Sequence, residues 1–219
     1  MSTRFLTILF LSVLVAAAAV AVWYSFGMPG FGASPPNESE YRNTRFDYSF
    51  TYPRTLSLNE YSVRYVTLST QKGEILHDVL TTAVMRTGEG TTPVSFDAFV
   101  RSQLPPLCAA DIADAELECP TVREAIPFTT ASGIEATAYT LDLIVRATDG
   151  GESETKVFGP VYAYDLTGND PGSGMTVLFV YAPAIRVTED TADQALVESV
   201  ARSLTLLGVP AATTTPAAE

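Results

Sequence analysis

His77 is the chain's sole histidine, and Cys108 and Cys119 are its only cysteines. Any Ser-His-Asp chemistry would depend entirely on His77. It sits in a stretch that reads as a strand, Ile75 to Met85, where a histidine is ordinarily a sheet-surface or satisfied core residue. No G-x-S-x-G elbow supplies a nucleophile. A structural zinc site takes four Cys or His ligands, and the chain has three such residues in all. The metal expectation is therefore none, and no cofactor is implied.

The cysteines bracket a short acidic loop, LCAADIADAELECP, with Pro105 and Pro106 before it and Pro120 after it. In an oxidising compartment an even pair at this spacing forms a disulfide, and the pairing expected is Cys108 with Cys119. Closing about a dozen residues stabilises a fold by about 3 kcal/mol in the chain-entropy account. A reactive thiol is the alternative, but no nearby His or Lys would depress its pKa. Asp111, Asp114, Glu116 and Glu118 crowd the same loop. Calcium loops need a central Gly and the D-x-[DN]-x-[DN]-G spacing, which this stretch lacks, so it reads as a solvated acidic loop. Gly168 to Gly174 is Gly-rich but has no Lys and no following helix, so it is a hairpin connection rather than a phosphate cradle.

Aromatic residues are the remaining candidates. Tyr139, Tyr162, Tyr164, Phe179 and Tyr181 fall on neighbouring predicted strands and would line one sheet face. Cross-strand packing is the ordinary use of such a set. A small-ligand groove beneath a covering helix would use the same side chains.

The elements that must position these groups follow from periodicity. Phe46, Tyr48, Phe50 and Tyr52 alternate with Arg45, Asp47, Ser49 and Thr51 until Pro53, the pattern of a half-buried strand. Extended segments are expected near 62–70 and 75–85. Thr92-Pro93 then opens a helix whose apolar stripe is Phe96, Phe99, Val100 and Leu104. Strands return at 122–130, 134–148, 155–166 and 175–181, punctuated by Ser132-Gly133 and Asp149-Gly150-Gly151. Asp190 to Leu206 reads as a final helix with Ala192, Leu196, Val200 and Leu204 inward. The fold class is α+β: an antiparallel sheet meander sandwiched by helices.

That domain spans residues 41–209 and is preceded by two other segments. From Phe5 to Met28 the chain is uncharged and largely apolar, with Arg4 just before it. A helix crossing the hydrocarbon core needs about 20 apolar residues, whereas a cleaved signal has a shorter apolar region of about 7–15. Trp23 and Tyr24 suit a membrane boundary, and Arg4 keeps the N-terminus cytoplasmic. Residues 1–28 are thus expected to be one transmembrane helix, an anchor or uncleaved signal. Its partner is membrane lipid, and the domain beyond it lies outside the cytoplasm. A signal cleaved near Ala16 to Ala21 is the alternative. Residues 29–40 form a Gly/Pro/Ser linker, and 210–219 a low-complexity tail expected to be disordered. Net charge is −12, from 13 Lys and Arg against 25 Asp and Glu. That balance disfavours nucleic acid and anionic lipid head groups.

The opening of the domain, with Tyr41 and Asn43 ahead of Phe46, Tyr48, Ser49, Phe50, Tyr52 and Pro53, resembles the PsbP-like family. The order of later elements is similar as well. Family members commonly carry a Trp soon after that Pro, whereas Arg54, Thr55 and Leu56 follow here. The resemblance implies an antiparallel sheet between helices. In photosynthetic members it also implies an accessory role on the lumenal side of photosystem II, a role that no motif residue here carries over. The function expected is non-enzymatic: an extracytoplasmic accessory or binding domain for a membrane or envelope protein. The alternative is a small-ligand binder using the aromatic face.

Overall fold

The computed structural model describes residues 37–87, 95–108, 115–147, 152–169 and 174–208. Ten strands and three α-helices are recorded among them. β1 (Glu38–Asn43) and β2 (Tyr48–Pro53) pair antiparallel, with Tyr41 opposite Phe50 and Asn43 opposite Tyr48. The register brings the Tyr41 and Phe50 rings to 5.2 Å between centroids. Asn43 supports the turn between them, because its Oδ1 accepts from the backbone N–H groups of Arg45 and Phe46. The strand pattern therefore starts earlier than expected. Glu38 to Glu40, placed in the linker on composition, form the first half of β1.

Seven strands make the main sheet: β3 (Ser57–Ser62), β4 (Tyr65–Lys72), β5 (Ile75–Arg86), β6 (Ala115–Thr129), β7 (Glu135–Ala147), β8 (Glu154–Asp165) and β9 (Thr176–Tyr181). Their spatial order is β3-β4-β5-β9-β8-β7-β6, and every neighbouring pair is antiparallel. The sheet is not one continuous meander. Strands β3 to β5 and β6 to β9 form two, closed where β9 slots beside β5. The connection from β5 to the far edge at β6 includes α1 (Phe96–Cys108).

Both faces of the sheet are covered. On β9 all six residues are buried, as its unbroken apolar run demands of a strand packed on two sides. Leu178 and Val180 join a core with Tyr48, Phe50, Leu68, Leu80, Tyr164, Val197 and Val200. Val177 and Phe179 join the other, with Val100, Leu104, Leu141, Leu143 and Phe158. The first core lies under β1, β2 and α3 (Gln194–Ser203), and the second under α1.

Several helix boundaries differ from the sequence expectation. Thr92 and Pro93 lie outside the described residues, and α1 is capped instead by Ser95, whose Oγ accepts from Ala98 N. Pro105 and Pro106 lie within α1 rather than bounding a loop. Its final turn holds because Leu104 and Cys108 are fully buried and Cys108 is bonded to β6. The last helix begins at Gln194, not Asp190, because Asp193 accepts from Leu196 N at 2.9 Å and so fixes the N-cap. It ends at Ser203, whose Oγ takes the Thr51 N–H. Leu204 is then extended, and β10 (Thr205–Leu206) pairs with β2. A short helix, α2 (Ala184–Thr188), precedes it and was not foreseen.

No helix among the described residues is long and apolar enough to cross a membrane. The expected anchor at 1–28, most of the linker, the tail, Asp111, Asp114 and the Asp149-Gly150-Gly151 turn lie outside the described residues.

Candidate functional site

The aromatic set is parted by the sheet. Tyr139 stands opposite Val161, Ala163 opposite Phe179, and Thr81 opposite Tyr181, so Tyr139, Phe179 and Tyr181 share the face under α1. Tyr162 stands opposite Val180 and Tyr164 opposite Leu178, which places both on the face under α3. All five are buried. The one-face arrangement expected from the sequence is thus corrected, since side chains alternate along a strand and the register decides which face each takes.

Two of these tyrosines have hydrogen-bond partners for their hydroxyls. Tyr164 Oη donates to Ala201 O at 2.9 Å, and Tyr139 Oη donates to Asp97 Oδ1 at 3.1 Å. Burial, with the Asp97 carboxylate second, pushes the Tyr139 phenol up to about 12, and burial pushes Tyr162 up to about 12. Tyr164 and Tyr181 are raised further by burial. Asp97 is held below the usual carboxylate range, first by its hydrogen bond to Arg101. The five aromatic rings are core groups, and Asp97 lies at the surface.

Cys108 and Cys119 are bonded, with their Cα atoms 6.0 Å apart. Of the acidic residues between them, Glu118 sits on β6 and pairs with Arg146 at 2.7 Å. No group of three or more His, Cys, Asp or Glu side chains able to hold a metal ion occurs among the described residues.

The arrangement best suited to recognition lies at the end of the sheet near the β4–β5 turn. Register there is interrupted: Leu68 faces Leu80 but Ser69 faces Asp78, so Val79 is an extra residue on β5. Such a bulge re-aims the side chains around it. His77, opposite Thr70, and Val79 both line one cleft of about 260 Å³. Leu56, Thr70, Lys72, Arg186, Thr191, Asp193 and Leu196 complete its wall.

Arg186 is the centre of this cleft. Because β9 pairs with β5 and ends at Tyr181 opposite Thr81, the chain that follows runs beside the bulge. From α2, Arg186 donates from Nε to Asp78 O at 2.9 Å and from Nη1 to Glu189 Oε2 at 2.7 Å. Its Nη2 lies 3.3 Å from His77 Nδ1. A guanidinium has only donors, so Nδ1 accepts in this contact and the ring proton of a neutral His77 is on Nε2. Arg186 is only 8% exposed. Lys72, on the rim, has no carboxylate within ion-pair distance among the described residues. In a neighbouring cleft, by contrast, Lys156 is already bound by Asp190 and by Thr188 O.

Sequence reasoning singled out His77 and missed the rest of this cleft. The one available signal was Arg186 itself, a cation inside the apolar stretch from Val177 to Val187.

No family model and no curated protein matches this chain. Among solved structures it is similar to the solution structure of cyanobacterial PsbP (CyanoP) from Synechocystis sp. PCC 6803. The two share 16% sequence identity over 82% of this chain and 98% of that one, with a TM-score of 0.43. That neighbour bears the name of the family that the first strand resembles.

Proposed function

We propose that this chain is a non-enzymatic accessory domain of the cell envelope. It is tethered by its N-terminal apolar segment and works outside the cytoplasm by binding a membrane or envelope protein. The observation that carries the reading is the contact between Arg186 and His77. The chain's one imidazole spends Nδ1 on a guanidinium, where a catalytic imidazole would need an orienting carboxylate or a nucleophile. What remains around it is a half-open cleft with a few convergent polar groups, the usual form of a binding site. The disulfide supports an oxidising compartment, and the uncharged run from Phe5 to Met28 supports a single membrane crossing with the domain outside.

Crosslinking and affinity capture of the full chain from its native membrane tests this, with a form lacking residues 1–28 as control. One stoichiometric partner, lost from the control, is the expected result. Turnover of a substrate that a single side-chain change abolishes would overturn the reading. So would protease protection placing the domain on the cytoplasmic side.

A further inference from the structure

The cleft at Arg186 has an incomplete set of partners. A guanidinium carries five N–H donors. Three are engaged, by Asp78 O, Glu189 and His77, which leaves one on each terminal nitrogen without a protein acceptor among the described residues. Those donors belong to a side chain about nine-tenths buried that lines an open cleft. Donors that face an open cleft take an acceptor there, from water or from a ligand. Lys72 adds a second positive charge on the rim, and the hydroxyl-bearing Thr70 and Thr191 line the same wall.

Part of the lining has different chemistry. Leu56, Val79 and Leu196 supply aliphatic surface. The volume of about 260 Å³ falls below the roughly 300–1,000 Å³ of pockets for drug-sized ligands. Two carboxylates limit the charge that can enter. Glu189 already neutralises part of Arg186, and Asp193 lies on the rim, where its side chain caps α3. A dianion would meet repulsion from both, whereas one carboxylate fits the two free guanidinium donors and the ammonium.

We propose that this cleft binds a single carboxylate carried on a short aliphatic stem, with Arg186 and Lys72 holding the charge and Leu56, Val79 and Leu196 the stem. This rests on the reading of the chain as a binding domain and names the chemistry its site takes. A free branched-chain acid and the C-terminus of a protein ending in an aliphatic residue present the same group.

The test uses the full chain in detergent, titrated with isovalerate and, separately, with isoamyl alcohol, its uncharged counterpart. Isovalerate should raise the melting temperature saturably by linkage, and the alcohol should not. Lys72→Met keeps the stem of an exposed side chain and removes the charge, so its fold is not at risk. It should weaken isovalerate about tenfold, the loss expected for one charge-assisted contact. No saturable shift, an equal shift with the alcohol, or an unchanged affinity in Lys72→Met would each overturn the assignment.

A short peptide ending in leucine, with its C-terminus free or amidated, separates the two sources. Tighter binding of the free form than of isovalerate points to a protein terminus. Isovalerate binding alone points to a free acid. Equal binding of the amidated peptide overturns the assignment. Partner capture involves no added carboxylate, so the two readings fail separately. A captured partner with no isovalerate effect removes the cleft and leaves the accessory role. Isovalerate binding with no partner does the reverse.

Discussion

Arg186 Nη2 stands 3.3 Å from His77 Nδ1, yet the guanidinium's shorter bonds go to Glu189 at 2.7 Å and to the Asp78 carbonyl at 2.9 Å. The imidazole is therefore the weaker of the two holds that join α2 to β5, since Glu189 is the C-cap of α2 itself. Arg186→Met should cost about 1–3 kcal/mol, because it strands the backbone acceptor of Asp78. His77→Ala should cost under about 1 kcal/mol, the value of one ordinary hydrogen bond. Urea unfolding of both variants measures the difference. Equal losses would mean that the ring, not the carbonyl and carboxylate, fixes Arg186.

Cys108 is fully buried at the end of α1, and Cys119 is 2% exposed on the edge strand β6. Their bond pins a helix whose last turn contains two prolines and so lacks the backbone donors that would hold it. Replacing both cysteines by serine should destabilise the domain by about 2–4 kcal/mol. Reductant added to the unaltered protein should lower its melting temperature to the same extent. A melting curve indifferent to reductant would show that α1 is held by packing alone.

Tyr164 is buried near the C-terminal end of β8, and its hydroxyl donates to the carbonyl of Ala201 on α3. Tyr164→Phe keeps the ring and removes the donor, leaving a buried carbonyl one bond short. The expected cost is about 1–2 kcal/mol, read as a lower denaturant midpoint with no change in slope. Hydrogen exchange should quicken first in α3, because that bond is one of its links to the sheet. Uniform acceleration across the domain would contradict that assignment.

Most of the strands were legible because their chemistry is local. The alternation from Phe46 to Tyr52 and the apolar run from Val177 to Tyr181 each announce a strand without knowledge of its neighbours. Which face a residue takes is not local. Tyr139 stands opposite Val161 rather than Tyr162, and a shift of one residue would exchange the two faces. The gap in register between Tyr139 and Leu141 comes from Gly159, whose φ of +118° suits glycine and where a Cβ would come within 2.6 Å of Tyr139 O. The sequence marks that glycine but not its partner strand.

The cleft was illegible for the same reason on a larger scale. His77 and Arg186 are 109 residues apart, and they meet because β9 lies beside β5 although three other strands separate the two in sequence. No spacing rule anticipates that. Helix ends fell between these extremes. Asp193 is a recognisable N-cap residue, but Asp190 is an equally good one three positions earlier. Asp190 instead adopts a φ of +54°, and its carboxylate binds Lys156 of β8, a tertiary contact that ends the ambiguity.

Alkaline pH should unfold this domain through its tyrosines. Burial is the leading cause of the upward shifts of Tyr48, Tyr139 and Tyr162, each pushed up to about 12, and it raises Tyr41, Tyr164 and Tyr181 further still. In the unfolded chain a tyrosine ionises near 10. Between about pH 10 and 12 the unfolded state therefore holds fewer protons than the folded one. The slope of unfolding free energy against pH is then negative. The stability these groups contribute is fully present below about pH 10 and is lost as pH rises through about 12. Tyrosinate absorbance followed with circular dichroism checks this. The buried phenols should ionise in the same step in which the fold is lost, at a pH well above 10. Smooth ionisation of every tyrosine near 10, with the dichroism intact, would mean that these side chains reach solvent in the folded protein and that the two cores described above are wrong.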